Sequence, residues 1–408
     1  SVNLQVAMVI KLLRCLRSGL PALLFLFVRL PASAQSGPFP NPDGLAGAVE
    51  FWKQIFTRYD SGAVVFFDPI DPTRVYRVLR VQETAQGRAI IATERSRIVE
   101  DYDLVDNEIR VRSQRGVKNQ FVEGLKISGR YMAEMEKLFH AEGLPAELAL
   151  LPLVESSFNI GARSSVGAVG MWQFMPETGK KFLRIDGMVD ERRDPLASTR
   201  AAARLLKQNY QILGSWPLAI TAYNHGTEGM LRAINAVGSR DLEEIIARYD
   251  GPGFGFASKN FYAEFLAVVD IVANRETFFP YLREHGPLKL HEVPLKKPAP
   301  LHAVLKPAAI SVADFFAWNP ALEPNITVVP MDYRVRLPAE KVDGFLIAHG
   351  RAVNAPTAKQ STAASLSGGK PSPAKREPAS KGSIIAKRAP IKGQGKASSI
   401  AKSRDARA

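Results

Sequence analysis

A short, very apolar run that ends in an acid constrains this chain more than any other feature. Five of the seven residues at 148–154 are Leu or Val, and Glu155 closes the run. Gly143 and Pro145 precede it, and a proline at that place suits a helix N-terminus. Apolar residues this dense on a helix predict burial on most sides. A carboxyl at the end of such a helix is partly withdrawn from water, which favours its neutral form and raises its pKa. A general acid working near neutral pH needs that property. A carboxylate paired with Arg163, or one at a solvated helix end, would fit the same pattern.

The surrounding sequence has helical period. Phe121, Leu125, Ile127, Tyr131, Met135 and Leu138 mark one amphipathic stripe, and further helices are predicted at 176–184, 197–213, 217–223, 227–236, 241–248 and 259–274. The stretch 135–285 therefore reads as mainly α. Ahead of it the pattern is mixed, with a helix at 49–56 and short strands at 64–67 and 75–81. Behind Pro280 and a Pro/Lys-rich link at 294–300, short strands at 291–293, 326–329 and 333–337 surround a helix at 312–318. There is no long internal repeat.

The chain has 408 residues and a formal charge of +14, but the charge sits at the ends. Residues 1–34 carry Lys11, Arg14, Arg17 and Arg29 with no acid, and 354–408 carry 12 Lys/Arg against Glu377 and Asp405. The body between them is neutral, so the basic balance gives no reason to expect a nucleic-acid groove there. The first block reads as a secretory signal: a positive segment, a short apolar run at 20–28, and the small residues Ala32-Ser33-Ala34 at a cleavage site. Export to the periplasm or cell envelope is the expectation. The last block is rich in Ala, Ser, Gly, Pro and Lys and is expected to be disordered, with a tether to an anionic envelope surface as its sharper reading. The only cysteine is Cys15, which excludes an intrachain disulfide framework and a Cys-based zinc site.

Polar loops follow the acid. Ser156-Ser157-Phe158-Asn159-Ile160-Gly161-Ala162-Arg163-Ser164-Ser165 leads into Val166-Gly167-Ala168-Val169-Gly170-Met171-Trp172-Gln173-Phe174-Met175-Pro176. Glycines there allow close backbone approach to a ligand, Trp offers a flat face for a sugar ring, and Gln offers donors and acceptors for hydroxyl or acetamido groups. Some fifty residues on, Thr221-Ala222-Tyr223-Asn224-His225-Gly226 places a phenol and an amide beside a glycine at a helix end. Gly251-Pro252-Gly253-Phe254-Gly255 lacks a preceding strand and a Lys-Ser/Thr pair and is not a phosphate loop.

Three blocks in order, Glu155-Ser156, then Gly167-Ala168-Val169-Gly170-Met171-Trp172-Gln173, then Ala222-Tyr223-Asn224, resemble the catalytic domain of lytic transglycosylases, whose fold is related to goose-type lysozyme. Gly143-Leu144-Pro145-Ala146-Glu147-Leu148 and Arg193-Asp194-Pro195-Leu196-Ala197-Ser198-Thr199 extend the resemblance, which is greatest to the membrane-bound murein transglycosylase D branch. It departs at His225, at Thr227-Glu228-Gly229 and at Asn159-Ile160. The fold implied is a mainly α, lysozyme-like catalytic domain, with a small α+β C-terminal module, a mixed N-terminal region and a disordered basic tail. The boundaries are 1–34 for the signal, 35–119 for the mixed region, 120–285 for the catalytic domain, 289–350 for the module and 354–408 for the tail.

The resemblance implies peptidoglycan as substrate, cut between N-acetylmuramic acid and N-acetylglucosamine, with no cofactor, no metal and no nucleic-acid partner. Glu155 would act as the single catalytic acid and then base, and the product would be a 1,6-anhydromuramic end. Gln173 and the backbone near Met171 would hold the N-acetylated sugar. Tyr223 would bond the Glu155 carboxyl or the substrate, Asn224 would fix the turn and sugar contacts, and Ser164 would line the cleft. Glu177 and Asp194 read as helix N-terminal acids, Glu228 stands as a possible second carboxylate, and His225 reads as structural. Two rivals stay open: a lysozyme-like hydrolase of the same fold and a non-catalytic glycan-binding scaffold. In the module, the Asn319-Pro320 pair after a short helix and the closing Leu337-Pro338 resemble a degenerate LysM-type glycan-binding unit that lacks the usual opening motif.

Overall fold

The computed structural model describes residues 37–354. The secretory-type block at 1–34 and the basic segment beyond Asn354 lie outside the described residues. Two features dominate what is described: a helical body and short, scattered sheets.

Helix α1 (Ala46–Thr57) leads into β1 (Ala63–Phe67), the middle strand of a three-stranded antiparallel sheet. Its neighbours are β2 (Val75–Arg80) and β3 (Arg112–Arg115), with Val65 opposite Val78 on one side and Gln114 on the other. Between β2 and β3 runs α2 (Ala85–Asp101), started by Thr84, whose hydroxyl accepts the Gly87 N–H at 3.0 Å. The sequence pattern did not predict α2, because most of its surface faces water and only Gly87, Glu94, Ile98 and Val99 are buried.

The body then assembles from α3 (Lys118–Ser128), α4 (Met132–Ala141), α5 (Leu151–Ser156), α6 (Pro195–Leu213), α7 (Trp216–His225), α8 (Thr227–Val237), α9 (Leu242–Arg248) and α10 (Phe256–Ala273). Helix α10 lies against α1, α5 and α7, and α6 against α4 and α7. Phe121, Phe139, Phe158, Trp172 and Phe265 are fully buried among them. Each such side chain contributes roughly 1.5–3 kcal/mol by leaving water.

Two expected helices are divided. The stripe from Phe121 to Leu138 is split between α3 and α4, because the chain at 285–288 crosses the break. His285 N–H bonds the Lys126 carbonyl at 2.9 Å and Leu288 N–H bonds the Arg130 carbonyl at 3.1 Å. A Cβ on Gly129 would lie 2.4 Å from the His285 carbonyl oxygen, so only glycine admits this crossing. The apolar run before Glu155 is a 3₁₀ segment (Ala146–Leu150) followed by α5. Pro152 explains the division: it has no N–H to continue a helix and sits instead in the first turn of a new one. The helix expected at 176–184 is a single turn (Pro176–Gly179).

After the body, β4 (His291–Pro294) pairs with β7 (Arg334–Leu337), and β5 (Ala299–Pro300) with β6 (Val328–Val329), both antiparallel. Helices α11 (Val312–Trp318) and α12 (Ala339–Asn354) pack with them around Phe315, Val335 and Phe345. Buried Asn319 clamps α11 to β7, accepting the Arg336 N–H at 2.8 Å and donating to the Arg336 carbonyl at 2.9 Å. This region is anchored on the body. Asp190 N–H bonds the Ala321 carbonyl at 2.7 Å, Arg193 pairs with Glu323 at 2.8 Å, and Arg336 pairs with Asp194. No described helix is long and apolar enough to cross a membrane.

Candidate active site

Helix α5 is only six residues long, and all six are buried. Glu155 is its penultimate residue and is 4% exposed. The helix stops because Ser157 and Phe158 take left-handed backbone conformations, φ 50° and 59°, which turn the chain away at once. Next to the acid, Ser156 Oγ donates to the Met171 carbonyl at 2.9 Å and accepts the Asn159 N–H at 3.1 Å. One hydroxyl thereby ties the end of α5 to the glycine-rich loop.

That loop is a tight double turn. Val169 bridges to Arg163 on one side and to Phe174 on the other. Gly170 has φ 79°, and a Cβ there would come within 1.8 Å of the Arg192 carbonyl oxygen, so glycine is obligatory. Gln173 holds φ 48°, a strained setting for a side-chain-bearing residue. It is fully buried, and its amide donates to the Gly170 carbonyl at 2.7 Å, closing the turn on itself. Met171 is buried and presents its carbonyl to Ser156. Ser164, half-buried, accepts the Ala168 N–H at 2.8 Å and holds the far end of the loop.

Tyr223 comes from α7. Its hydroxyl donates to the Trp172 carbonyl at 2.8 Å, and its ring lies parallel to Phe261 of α10 at 6.5 Å. Burial, and after it the charge of nearby Glu155, push its pKa well above the usual phenol range. Glu155, Met171, Trp172, Gln173 and Tyr223 thus converge where α5, the loop and α7 meet. Asn224 follows on α7 and accepts the Ser258 hydroxyl at 2.8 Å, linking α7 to the start of α10.

Trp172 is core. It is fully buried, its indole N–H donates to Thr199 Oγ1 at 2.9 Å, and its ring packs near Phe139. The His225 ring stands edge-on to Phe254 at 5.0 Å, and burial lowers its pKa, so it is a neutral packing group. The three other acids weighed from sequence lie elsewhere. Glu177 and Glu228 are exposed in first helical turns, and Asp194 caps α6 by accepting the Leu196 and Ala197 N–H groups at 3.0 and 2.7 Å.

The acid that sequence reasoning missed is Glu264, in the middle of α10 and 9% exposed. Burial first, and the charge of Glu155 second, push its pKa up to about 8. Its signal was present: an acid inside Phe261-Tyr262-Ala263-Glu264-Phe265-Leu266-Ala267-Val268 is the same anomaly as Glu155. Among the described residues no group of three or more His, Cys, Asp or Glu side chains is placed to hold a metal ion.

The chain is similar to several known proteins. The chain is 27% identical over 256 residues to the membrane-bound lytic murein transglycosylase D of Escherichia coli strain K12, covering 60% of this chain. The match spans 56% of that relative's length. Among solved structures, an inactive mutant of the lytic transglycosylase Slt from Pseudomonas aeruginosa is similar with a TM-score of 0.31 and 20% identity, over 47% of this chain and 30% of that one. The 70 kDa soluble lytic transglycosylase of Escherichia coli gives 0.28 and 23%, over 36% and 25%. A family model described as the transglycosylase SLT domain matches residues 135–246. The part of the chain that brings Glu155, Gln173 and Tyr223 together is a transglycosylase SLT domain.

Proposed function

We propose that this protein is a lytic transglycosylase of the cell envelope, cutting peptidoglycan glycan strands between N-acetylmuramic acid and N-acetylglucosamine. The observation that carries the proposal is the Glu155 carboxyl, buried at the closed end of an apolar helix and next to Tyr223. Protonated Glu155 gives its proton to the bridging oxygen as the bond breaks, and the sugar ring passes through an oxocarbenium-like state. The C6 hydroxyl of the same muramic residue then attacks C1. It is already held in place, so no water need be bound and activated. Ionised Glu155 takes the hydroxyl proton, and a 1,6-anhydro end results without net hydrolysis. Substrate contacts are assigned to the backbone at Met171, to Gln173, Tyr223 and Asn224, and to Ser164 at the cleft rim.

A hydrolase is the second reading, and Glu264 is the observation that raises it, because hydrolases pair an acid with a carboxylate base. Burial and the nearby charge of Glu155 push the Glu264 pKa up to about 8, so most of it is protonated at neutral pH in the free protein. The match of residues 135–246 to the transglycosylase SLT domain supports transglycosylation over hydrolysis. Export to the periplasm and glycan binding by 289–350 belong to the same proposal.

Mass spectrometry of a sacculus digest is the test. Wild-type protein should release anhydro fragments, and Glu155→Gln should release none. Hydrated reducing ends from the wild type would assign a hydrolase instead. Binding of sacculi without soluble products would leave a scaffold.

A further inference from the structure

Glu264 lies outside the segment matched to the transglycosylase domain, yet it is within the electrostatic reach of that segment's acid. Helix α10 packs on both α5, which ends in Glu155, and α7, which carries Tyr223. Phe261 and Glu264 are three residues apart and share one face of α10. Phe261 is parallel to the Tyr223 ring, so that face is turned toward the site. No described Lys, Arg or His forms an ion pair with Glu264, although it is 9% exposed. A carboxyl buried without a cation is costly when ionised and calls for a reason.

The charged and titratable groups on the packed elements do not supply a cation. From α1 come Glu50 and Lys53, and Lys53 is held by Asp270 at 2.7 Å. From α7 come Tyr223 and neutral His225, from α5 Glu155, and from the 3₁₀ segment Glu147, which is exposed. On α10 itself stand Lys259, Asp270 and Tyr262, whose hydroxyl donates to the Pro40 carbonyl at 2.7 Å, and beyond its end Arg275, which pairs with Glu284. Arg112 lies over the Phe256 ring at 4.0 Å, two turns of α10 away.

We propose that Glu264 is a positioning residue that works through Glu155, as the second carboxyl of a pair that shares one proton. This rests on Glu155 being the acid of the proposed reaction. Two interacting carboxyls titrate as a unit, and the last proton is retained well above the range of either group alone. Whatever the charge of Glu155 does to Glu264, the charge of Glu264 does to Glu155. When a glycan oxygen lies against Glu155, its hydrogen bond draws the shared proton there and leaves Glu264 ionised. The proton goes to the bridging oxygen as that bond breaks. The C6 hydroxyl later returns one to Glu155, so the pair ends as it began.

The test compares pH–rate profiles of anhydro-fragment release by the full chain. Glu264→Gln keeps the shape and removes the charge. Its alkaline limb should fall by about one pH unit or more relative to wild type, and Glu264→Asp should return it toward the wild-type position. A Glu264→Gln profile that overlays the wild type, while Glu155→Gln is inactive, would overturn the pairing and leave the transglycosylase assignment standing. Carbon-13 NMR of labelled glutamate carboxyls gives a second measurement that needs no activity. One carboxyl absent from Glu264→Gln should titrate near pH 8, and Glu155→Gln should move that titration down. A Glu264 titration indifferent to Glu155→Gln would sink the inference whatever the reaction proves to be.

Discussion

Two buried acids in this molecule solve opposite problems. Asp68, at the end of β1, is fully buried, and the Arg110 guanidinium meets it with Nε at 2.6 Å. The Ile70 N–H adds a bond at 2.9 Å. Burial works to raise its pKa, but Arg110 and the N–H groups of Ile70 and Asp71 outweigh burial, and the net shift is downward. Glu264 has no such partner, and burial carries its pKa up to about 8. The first acid is ionised and satisfied, and it pins β1 to the segment before β3. The second is held toward its neutral form at physiological pH. Burial alone therefore does not set the protonation state of an acid; the presence or absence of a cation decides it.

The largest effect expected is on catalysis. Replacing Glu155 with Gln should take fragment release below detection, a fall of at least about 10²-fold, with unfolding midpoints close to wild type, since the amide keeps the size of the side chain. Next comes Arg110→Met, which strands the Asp68 carboxylate and should destabilise the protein by about 3–5 kcal/mol, read by urea denaturation at pH 7. That loss should shrink on acidification. The folded pKa of Asp68 lies below its unfolded value, so its contribution is present above about pH 4 and disappears as pH falls through the folded value. A loss independent of pH between 7 and 3 would show that Arg110 acts by packing alone.

Glu264 should show the opposite sign. Its folded pKa is raised, so wild-type stability is full below the unfolded value of 4.5 and declines as pH rises toward 8. The decline is at most about 1.4 kcal/mol per pH unit in that window. Glu264→Gln cannot ionise, so it should match wild type near pH 5 and exceed it in thermal stability near pH 8. Equal stability at both pH values would mean that the carboxyl is solvated in the folded protein.

Much of the catalytic body was legible in the residues, though neither Asp68 nor Glu264 was. An acid closing a run of Leu and Val marked Glu155, and Asp194 before Pro195 was readable as a cap because that pairing has a local cause. The helices α6 to α10 followed from apolar period. What could not be read depended on distant chain. The break between α3 and α4 is made by carbonyl bonds to residues 285–288, more than 140 positions away. Helix α2 escaped because it buries too little to leave a stripe. The sequence left Trp172 balanced between core and sugar platform, and the structure puts it in the core, where Thr199 takes its N–H. Glu264 carried the same local signal as Glu155, but only the packing of α10 on α5 and α7 says that the two anomalies belong together.

The smallest effect expected separates charge from hydrogen bonding at the same site. Tyr223 lies in the field of Glu155, and its hydroxyl donates to the Trp172 carbonyl and is neutral at any physiological pH. Tyr223→Phe removes the hydrogen bond to that carbonyl, so it should cost about 1 kcal/mol or more in denaturant unfolding. It removes no charge. Any loss of rate should therefore be uniform across pH, with the alkaline limb where the wild type has it. A limb displaced as far by Tyr223→Phe as by Glu264→Gln would mean that the phenol, and not the second carboxyl, sets the proton affinity of Glu155.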